Sequence, residues 1–217
     1  MPLNFNSTSV PSSGSVVYNG VSLSTLKQGS VVIWNKMPEF LYNAGNQYTS
    51  WTGGWQQKDT YMSHADYWYG NTPGSVSGLN GTLTIQSNNM KSFMSNGSSP
   101  YQGVLISTIS QIDITPISSL TATFTASEMW GGGYASMGVT KRFENKYQPI
   151  SATGGVCSRI KFNTTGPHTV TLNTSALSGM YYVCFTTCID SDAQLSTYLQ
   201  SIKCSETKED HICLKLH

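Results

Sequence analysis

Aromatic and polar side chains crowd one stretch of the chain, residues 50–70, with the sequence SWTGGWQQKDTYMSHADYWYG. Sugars are bound by aromatic faces that stack on C–H groups, and by nearby carboxylate, amide and hydroxyl groups that form hydrogen bonds. The residues of this stretch that suit such a site are Trp51, Trp55, Asp66, Tyr67 and Trp68. Their types and spacing indicate a carbohydrate-binding surface.

Packing is the alternative interpretation of the same residues. In a strand, successive side chains face opposite sides, so Tyr67 and Tyr69 can lie in a core while Trp68 points outward. The stretch holds six aromatic residues, and they cannot all face inward along a strand. We therefore expect at least one exposed aromatic side chain here.

A second candidate is SEMWGGGYAS, residues 127–136, where three consecutive glycines separate Trp130 from Tyr134. This run predicts a mobile loop, which either closes over a ligand or only turns between two strands. We include Trp130 in the predicted glycan site.

Catalysis finds little support in the residue types. A glycosidase needs two carboxylates at a set separation. No sequence pattern indicates that a pair such as Asp66 and Glu128 lies close together in space. No G-x-S-x-G nucleophile motif is present. A pair of Cys157 and His168 has no more support than many other Cys–His combinations. The sequence predicts a protein that is not an enzyme.

Cofactors are not predicted either. Cys184, Cys188, Cys204 and the histidines near the C-terminus match no zinc spacing. The pair Asp190-x-Asp192 fits a structural calcium or, alternatively, a solvated turn. The five cysteines all lie in the last third of the chain. An odd number without a secretion signal predicts buried free thiols.

Charge and composition exclude two classes of partner. The net charge is +1 and no basic stripe is present, so nucleic acid is not an expected partner. No run of 18 apolar residues occurs, so no membrane span is predicted. The N-terminal residues show no basic segment followed by an apolar one, so no secretion signal is predicted. Only 11% of residues are charged, against about 25% in ordinary domains.

The elements that must position these residues are strands. Val170 and Leu172 alternate with Thr169 and Thr171, as expected of a strand with one buried face. Many short segments of this kind, separated by turn residues, predict an all-β fold, a jelly-roll-like β-sandwich over residues 38–204. The predicted strands are 82–87, 103–114, 120–127, 134–143, 157–163, 168–174, 180–189 and 195–204.

The N-terminal part predicts a smaller unit. Residues 1–14 suggest an extended arm. Asn19-Gly20 and Gln28-Gly29 are turn signals, and they predict a three-stranded meander of strands 15–18, 21–27 and 30–34 within residues 15–37. Three short strands cannot bury enough apolar area alone, so the meander must dock on something else. We assign the docking to Tyr18, Asn19, Gly20 and Trp34; residues 205–217 are a tail or a last strand.

Three stretches resemble one family of proteins. VVYNGVSLSTLKQGSVVIW (16–34), LYNAGNQYTSWTGGWQ (41–56) and TLNTSALSGMYYVCF (171–185) are similar to segments of structural proteins encoded by phages and prophages of Firmicutes. In those proteins the N-terminal module precedes a sandwich similar to carbohydrate-binding jelly rolls. The resemblance ends after Cys188.

The resemblance implies a virion protein. It implies a homo-oligomer, with other virion proteins and host-surface glycan as partners, located on the particle and made in the bacterial cytoplasm. Two alternatives stay open. One is a purely structural capsid decoration, head-fibre or tail protein without sugar binding. The other is a hydrolase of cell-wall polysaccharide.

Overall fold

The computed structural model describes residues 16–18, 21–23, 25–28, 31–58, 75–77, 90–94, 103–143, 155–206 and 212–213. These residues form strands and a single helical turn, so the predicted all-β class is confirmed. The elements are β1 (Val16–Tyr18), β2 (Val21–Leu23), β3 (Thr25–Gln28), β4 (Val31–Asn35), β5 (Phe40–Asn43), α1 (Thr49–Thr52), β6 (Trp55–Lys58), β7 (Ser75–Ser77), β8 (Met90–Met94), β9 (Gly103–Thr108), β10 (Ile112–Asp113), β11 (Ile117–Thr140), β12 (Val156–Phe162), β13 (Gly166–Asn173), β14 (Met180–Glu206) and β15 (Ile212–Cys213).

Two long strands, β11 and β14, form the spine of the molecule. They pair antiparallel from Ile117 opposite Glu206 to Thr140 opposite Tyr182. Residues 119–126 of β11 pair on their other side with β13, whereas residues 133–139 pair with β12. Each half of the spine therefore carries its own set of neighbours, and the ten hydrogen-bonded strands form two layers.

The two layers have separate memberships. The first sheet contains β13, the first half of β11, the second half of β14, and β5. The second sheet contains β12, the second half of β11, the first half of β14, β9 and β6. The short strands β8 and β7 continue from residues 195–199 of β14.

The hydrophobic core lies between the two sheets. Phe124 of the first sheet has its ring centroid 5.3 Å from that of Phe162 and 5.5 Å from that of Phe185, both in the second sheet. The other core side chains include Leu41, Tyr42, Trp55, Ile106, Leu120, Met137, Val139, Val170, Leu172, Val183 and Ile202. The predicted β-sandwich is thus confirmed by its own packing.

At the three glycines, residues 131–133, strand β11 leaves the first sheet and enters the second. Inward residues have even numbers before this glycine run, such as Ala122, and odd numbers after it, such as Ala135. Register shifts between Ser127 and Gly132 account for this change, because a bulge inverts the alternation of side chains. The prediction of a loop at 131–133 is wrong: these residues lie within β11, with Gly132 opposite Asp190. Glycine suits a sharp bend in a strand because it has no Cβ.

Two other predicted strand boundaries also differ from the structure. Strands 180–189 and 195–204 were expected to be separate, but β14 runs through both. The predicted strand 103–114 is divided into β9 and β10. The predicted strand 82–87 lies outside the described residues.

The N-terminal unit consists of two small sheets. Val17 of β1 stands opposite Ser22 of β2, as the Asn19-Gly20 signal predicts. The third strand of this sheet is β15 rather than β4, which covers the predicted strand 30–34, and the predicted strand 21–27 is divided into β2 and β3. Val16 pairs in parallel with Ile212, while β3 pairs separately with β4. The C-terminal segment thus contributes a last strand, which was one of the two alternatives.

Cys157, Cys184 and Cys204, the cysteines whose side chains the structure describes, form no disulfide. Cys184 and Cys204 are buried and Cys157 is half-buried, in agreement with the prediction for the first two. Burial, with a smaller contribution from the charge of Glu206, raises the pKa of the Cys204 thiol to about 12. This thiol therefore stays protonated at neutral pH. Among the residues that the structure describes, no helix has the length and hydropathy that a membrane crossing requires.

Candidate functional site

The segment that contains Trp51 and Trp55 is a tightly bonded turn. The Trp55 side chain is only 1% exposed, and its indole N–H donates a hydrogen bond to the Leu41 carbonyl at 3.1 Å. The backbone N–H of Trp55 donates to Oε1 of Gln47, also at 3.1 Å. Because both faces of the indole lie in the core, Trp55 cannot stack on a ligand. Its predicted role in glycan binding is wrong.

The residues before Trp55 close the same turn. The Thr52 hydroxyl donates to the Gln47 carbonyl at 2.7 Å and accepts the Gly54 N–H at 2.8 Å. Gly53 has φ +65, and a Cβ at this position would stand 2.4 Å from Oγ of Ser110. The T-G-G-W sequence is therefore a structural motif that fits a turn against the sandwich. We call residues 43–55 the tryptophan turn.

The other predicted site residues are described only in part. Trp51 is half-buried and packs against the core. Trp130 pairs with Gln194 within the spine, and its side chain lies outside the described part. Asp66, Tyr67 and Trp68 also lie outside the described residues.

The predicted docking residues belong to the N-terminal sheets. Tyr18 stands opposite Val21, and Trp34 stands opposite Leu26. Asn19 and Gly20 lie outside the described residues. No described strand pair joins β1–β4 to the ten-stranded sheet.

A different surface gathers polar and aromatic groups: the side of the second sheet that faces away from the core. We call it the outer face. Its residues alternate with core residues, as Tyr134 and Ser136 do with Ala135 and Met137 on β11. Register places Lys161 opposite Tyr134, and Arg159 opposite Ser136. On the other side of β11, Thr186 of β14 stands opposite Ser136. Leu105 of β9 stands opposite Thr186 in turn.

One part of the outer face is covered. Leu105 and Cys184 have no exposed area, although they lie outside the main core. They pack with Tyr134, Tyr182 and Phe143, and the ring centroids of Phe143 and Tyr182 are 5.3 Å apart. The chain that leaves β11 thus folds back over this end of the sheet.

Two cations meet at Tyr134. The guanidinium carbon of Arg159 lies 5.1 Å from the ring centroid, and Nζ of Lys161 lies 5.3 Å from it. Both distances are within cation–π range. Arg159 and Lys161 are exposed and Tyr134 is half-buried, so solvent reaches this end of the outer face. Desolvation lowers the pKa of Arg159, but a guanidinium remains charged at neutral pH.

A buried hydroxyl lies next to these groups. Ser136 is 2% exposed, and its Oγ has no hydrogen-bond partner in the structure. An unsatisfied buried hydroxyl costs about 1–3 kcal/mol, so such atoms are uncommon in folded proteins. Its position opposite Arg159 gives the outer face an unused polar group beside an aromatic ring and two cations.

The sequence contained a signal for this site that a different strand assignment would have revealed. Tyr134-x-Ser136 and Arg159-x-Lys161 have the spacing of residues on one side of a strand. The prediction of a loop at the glycine run separated Tyr134 from the strand that holds it. The outer face was missed for that reason.

The groups considered for catalysis or metal binding are dispersed among the described residues. Glu39 forms an ion pair with Lys203 at 3.0 Å, and Asp113 accepts a hydrogen bond from the Thr115 hydroxyl at 2.6 Å. In the part of the chain that is described, no three His, Cys, Asp or Glu residues could hold a metal ion together. Asp190 and Asp192 lie within β14 rather than in a loop.

Cys157 and His168 do not form a pair. The His168 ring lies 4.7 Å from that of Phe162, a core residue. Cys157 belongs to the other side of β12, because it alternates with Ser158 and shares the side of Arg159. The second sheet separates the two side chains.

Comparisons with known proteins give matches among solved structures. No protein-family model and no curated protein sequence matches the chain. TmCBM61 in complex with β-1,4-galactotriose is 11% identical with a TM-score of 0.41, over 79% of this chain and 100% of that one. A CBM4 structure is 10% identical with a TM-score of 0.38, over 78% and 97%.

A third match is the GH16 protein of the mixed linkage glucan PUL of Bacteroides ovatus, in complex with a product. It is 9% identical with a TM-score of 0.41, over 70% of this chain and 94% of that one. At these values the function has to be argued from the residues of the outer face.

Proposed function

We propose that this protein is a virion component of a phage or prophage, and that its β-sandwich binds glycan on the host surface through the outer face. The observation that carries the proposal is Tyr134, a half-buried ring at the solvent-reached end of the second sheet, with the exposed side chains of Arg159 and Lys161 beside it. A ring beside exposed polar side chains matches what a sugar presents, which is C–H groups on one side and hydroxyls at its edge.

The virion part of the proposal rests on the N-terminal stretches that resemble phage structural proteins. The first of those stretches covers β1 to β3 and most of β4, which supply a unit for docking on other virion proteins. A homo-oligomer on a particle would bring several outer faces to one cell, so weak binding at each site becomes strong binding overall. We propose binding without hydrolysis, so release of reducing sugar from a bound polymer would contradict that part.

The glycan-binding part is tested with Tyr134→Ala. The full-length protein is mixed with purified cell walls of the bacterial host, and the bound fraction is measured after sedimentation. We expect affinity to fall roughly tenfold, which corresponds to about 1.4 kcal/mol. The matched control is Tyr198→Ala, because Tyr198 is a half-buried tyrosine of the first sheet, opposite Thr125.

The outcomes separate the alternatives. Loss of binding in Tyr134→Ala and normal binding in Tyr198→Ala, with both variants folded by circular dichroism, supports the outer face. Equal binding by both variants contradicts it. No binding of the unaltered protein to any cell wall favours a purely structural decoration protein.

The virion part needs its own experiment. Particles induced from the host are labelled with gold-conjugated antibody raised against the full chain. Gold at the tail tip supports a role in host recognition, and gold over the capsid supports decoration. Particles without gold would contradict the assignment to a virion.

A further inference from the structure

We propose that one edge of β13 joins two copies of this chain in a dimer, in which the first sheets of both copies form one continuous sheet. The inference concerns assembly, so it goes beyond glycan binding and is tested without any glycan. It is carried by the direction of the backbone groups of β13 and by the side chains beside them.

One edge of β13 faces β11, and the other edge faces away from it. The Thr174 N–H donates to the Ser118 carbonyl at 2.9 Å, and the register of β13 with β11 places these two residues opposite each other. In an antiparallel pair, opposite residues that exchange hydrogen bonds alternate with opposite residues that do not. The residues of β13 that bond to β11 are therefore those with even numbers. Thr169, Thr171 and Asn173 direct their N–H and C=O groups to the other edge, which we call the open edge.

Solvent reaches the open edge. Thr169, Thr171 and Asn173 are exposed, whereas Val170 and Leu172 between them are only 1% and 3% exposed. In the described part of the chain, β13 pairs with β11 and with no other strand. An accessible row of backbone N–H and C=O groups is a template for pairing with a further strand. The open edge is thus suited to an interface built on backbone hydrogen bonds.

The open edge lacks the charges that commonly prevent such pairing. Natural edge strands are often protected by charged side chains, by proline or by bulges. β12, at the edge of the described second sheet, carries Arg159 and Lys161. By contrast, residues 162–189, which include all of β13, contain no Asp, Glu, Lys or Arg. Pro167 removes one donor near the start of β13, so pairing is favoured over residues 169–173.

A second copy of β13 fits this edge, because the strand is its own complement. When two copies run antiparallel with Thr171 opposite Thr171, Thr169 of each copy stands opposite Asn173 of the other. These three pairs exchange about six hydrogen bonds, two for each pair. Cross-strand threonines also stabilise a strand pair through their side chains. The same register places Val170 opposite Leu172, so that apolar side chains continue along the core side.

This arrangement turns both outer faces in the same direction. The two-fold axis of an antiparallel strand pair is perpendicular to the sheet, so each side of the first sheet continues as the same side in the second copy. Both second sheets then lie on one side of the joined sheet. The dimer would present two outer faces to one cell surface, where weak binding at each face becomes stronger overall. This consequence rests on the proposed function, whereas the dimer itself does not.

The first experiment measures the mass of the full-length protein by light scattering during size-exclusion chromatography, over a range of protein concentrations. We expect twice the mass of one chain, in a proportion that rises with concentration. Thr171→Lys should weaken the association at least roughly tenfold, because two like charges would stand directly opposite each other. Thr49→Lys is the matched control, since Thr49 is an exposed threonine of α1, which follows β5 at the other edge of the first sheet.

A cysteine variant tests the register. Opposite residues of a hydrogen-bonded antiparallel pair have Cα atoms about 5.5 Å apart, a distance that suits a disulfide. Thr171→Cys should therefore form a covalent dimer under mild oxidation, seen on a non-reducing gel and assigned to residue 171 by mass spectrometry. Thr123→Cys is the control, because this residue stands opposite Thr169 on β11, one strand away from the interface. It should form no link to its own copy.

The outcomes decide between the open edge and other surfaces. A dimer that Thr171→Lys weakens and Thr171→Cys captures, while Thr49→Lys still dimerises, supports the inference. A monomer at every concentration overturns it, and slow hydrogen exchange at the Thr171 amide would then show that another segment of this chain covers the edge. A dimer that both lysine variants form equally, without a disulfide at residue 171, overturns it because another surface joins the copies. The Tyr134→Ala experiment judges glycan binding separately.

Discussion

The tryptophan turn and the outer face both combine aromatic rings with polar groups, but they use those groups differently. In the turn, the Trp55 indole N–H and the Thr52 hydroxyl are bonded within the protein, and Trp55 is buried. On the outer face, the Tyr134 ring is half-buried and the Ser136 hydroxyl has no partner. Residue types alone suggested the turn as the site. What separates the two regions is whether their hydrogen-bonding groups are already satisfied.

The largest expected effect is that of Trp55→Ala on stability. Removing a buried aromatic side chain of this size costs about 3–5 kcal/mol, since it leaves a cavity in the core. Urea denaturation of the purified protein measures the loss. Trp55→Phe is the control: it keeps a ring but leaves the Leu41 carbonyl without its donor, so it should lose less. If Trp55→Ala kept its stability but lost glycan binding, the tryptophan turn rather than the outer face would be the binding site.

Gly53→Ala tests the fit of the turn against the sandwich. We expect a loss of about 1–3 kcal/mol, because a left-handed conformation costs roughly 1–2 kcal/mol outside glycine and the new Cβ meets Ser110. Gly179→Ala is the control for the conformation alone, since Gly179 has φ +92 and nothing within 4 Å of its Cβ position. Denaturation of both variants isolates the contact.

A second change sharpens this result. Ser110→Gly added to Gly53→Ala removes both side-chain atoms that the new Cβ would approach, at 2.4 and 3.2 Å. We expect the double variant to regain part of the lost stability. If Gly53→Ala were no less stable than Gly179→Ala, the close approach of turn and sandwich would not matter.

The smallest expected effect on stability is that of Ser136→Ala. Removing a buried hydroxyl that has no partner should change the free energy of unfolding by less than about 0.5 kcal/mol, or increase it. Ser107→Ala is the matched control, because this buried hydroxyl donates to the Thr108 carbonyl at 3.1 Å. That variant should lose about 1 kcal/mol. A loss of the same size in Ser136→Ala would mean that its hydroxyl is satisfied in the folded protein.

Much of the fold could be predicted from local patterns. The alternation of Val170 and Leu172 with threonines predicted β13, because one face of that strand is exposed and the other is buried. The Asn19-Gly20 signal predicted the pairing of β1 with β2. Such signals are short in range, so each can be read from a few neighbouring residues.

The site was harder to predict, for two physical reasons. The second half of β11 is buried on both sides, with Ser136 at 2% and Met137 at 0% exposure, so polarity does not reveal its alternation. The glycines before it were read as a loop, although strand pairing with Ile189 and Asp190 keeps them extended. The second effect comes from β14, which is distant in sequence. The burial of Trp55 depends in the same way on Leu41 and the core.

The continuous spine has a mechanical consequence. The proposed ligand face belongs to the second sheet, while β5, the strand that follows the N-terminal unit, pairs with the far end of β14 in the first sheet. A pull between a bound cell and an anchored N-terminus would run along the spine strands. Hydrogen bonds in an antiparallel pair lie perpendicular to the strands, so this load shears many of them at once instead of opening them one by one. A long shared strand thus suits a protein that has to hold on under tension.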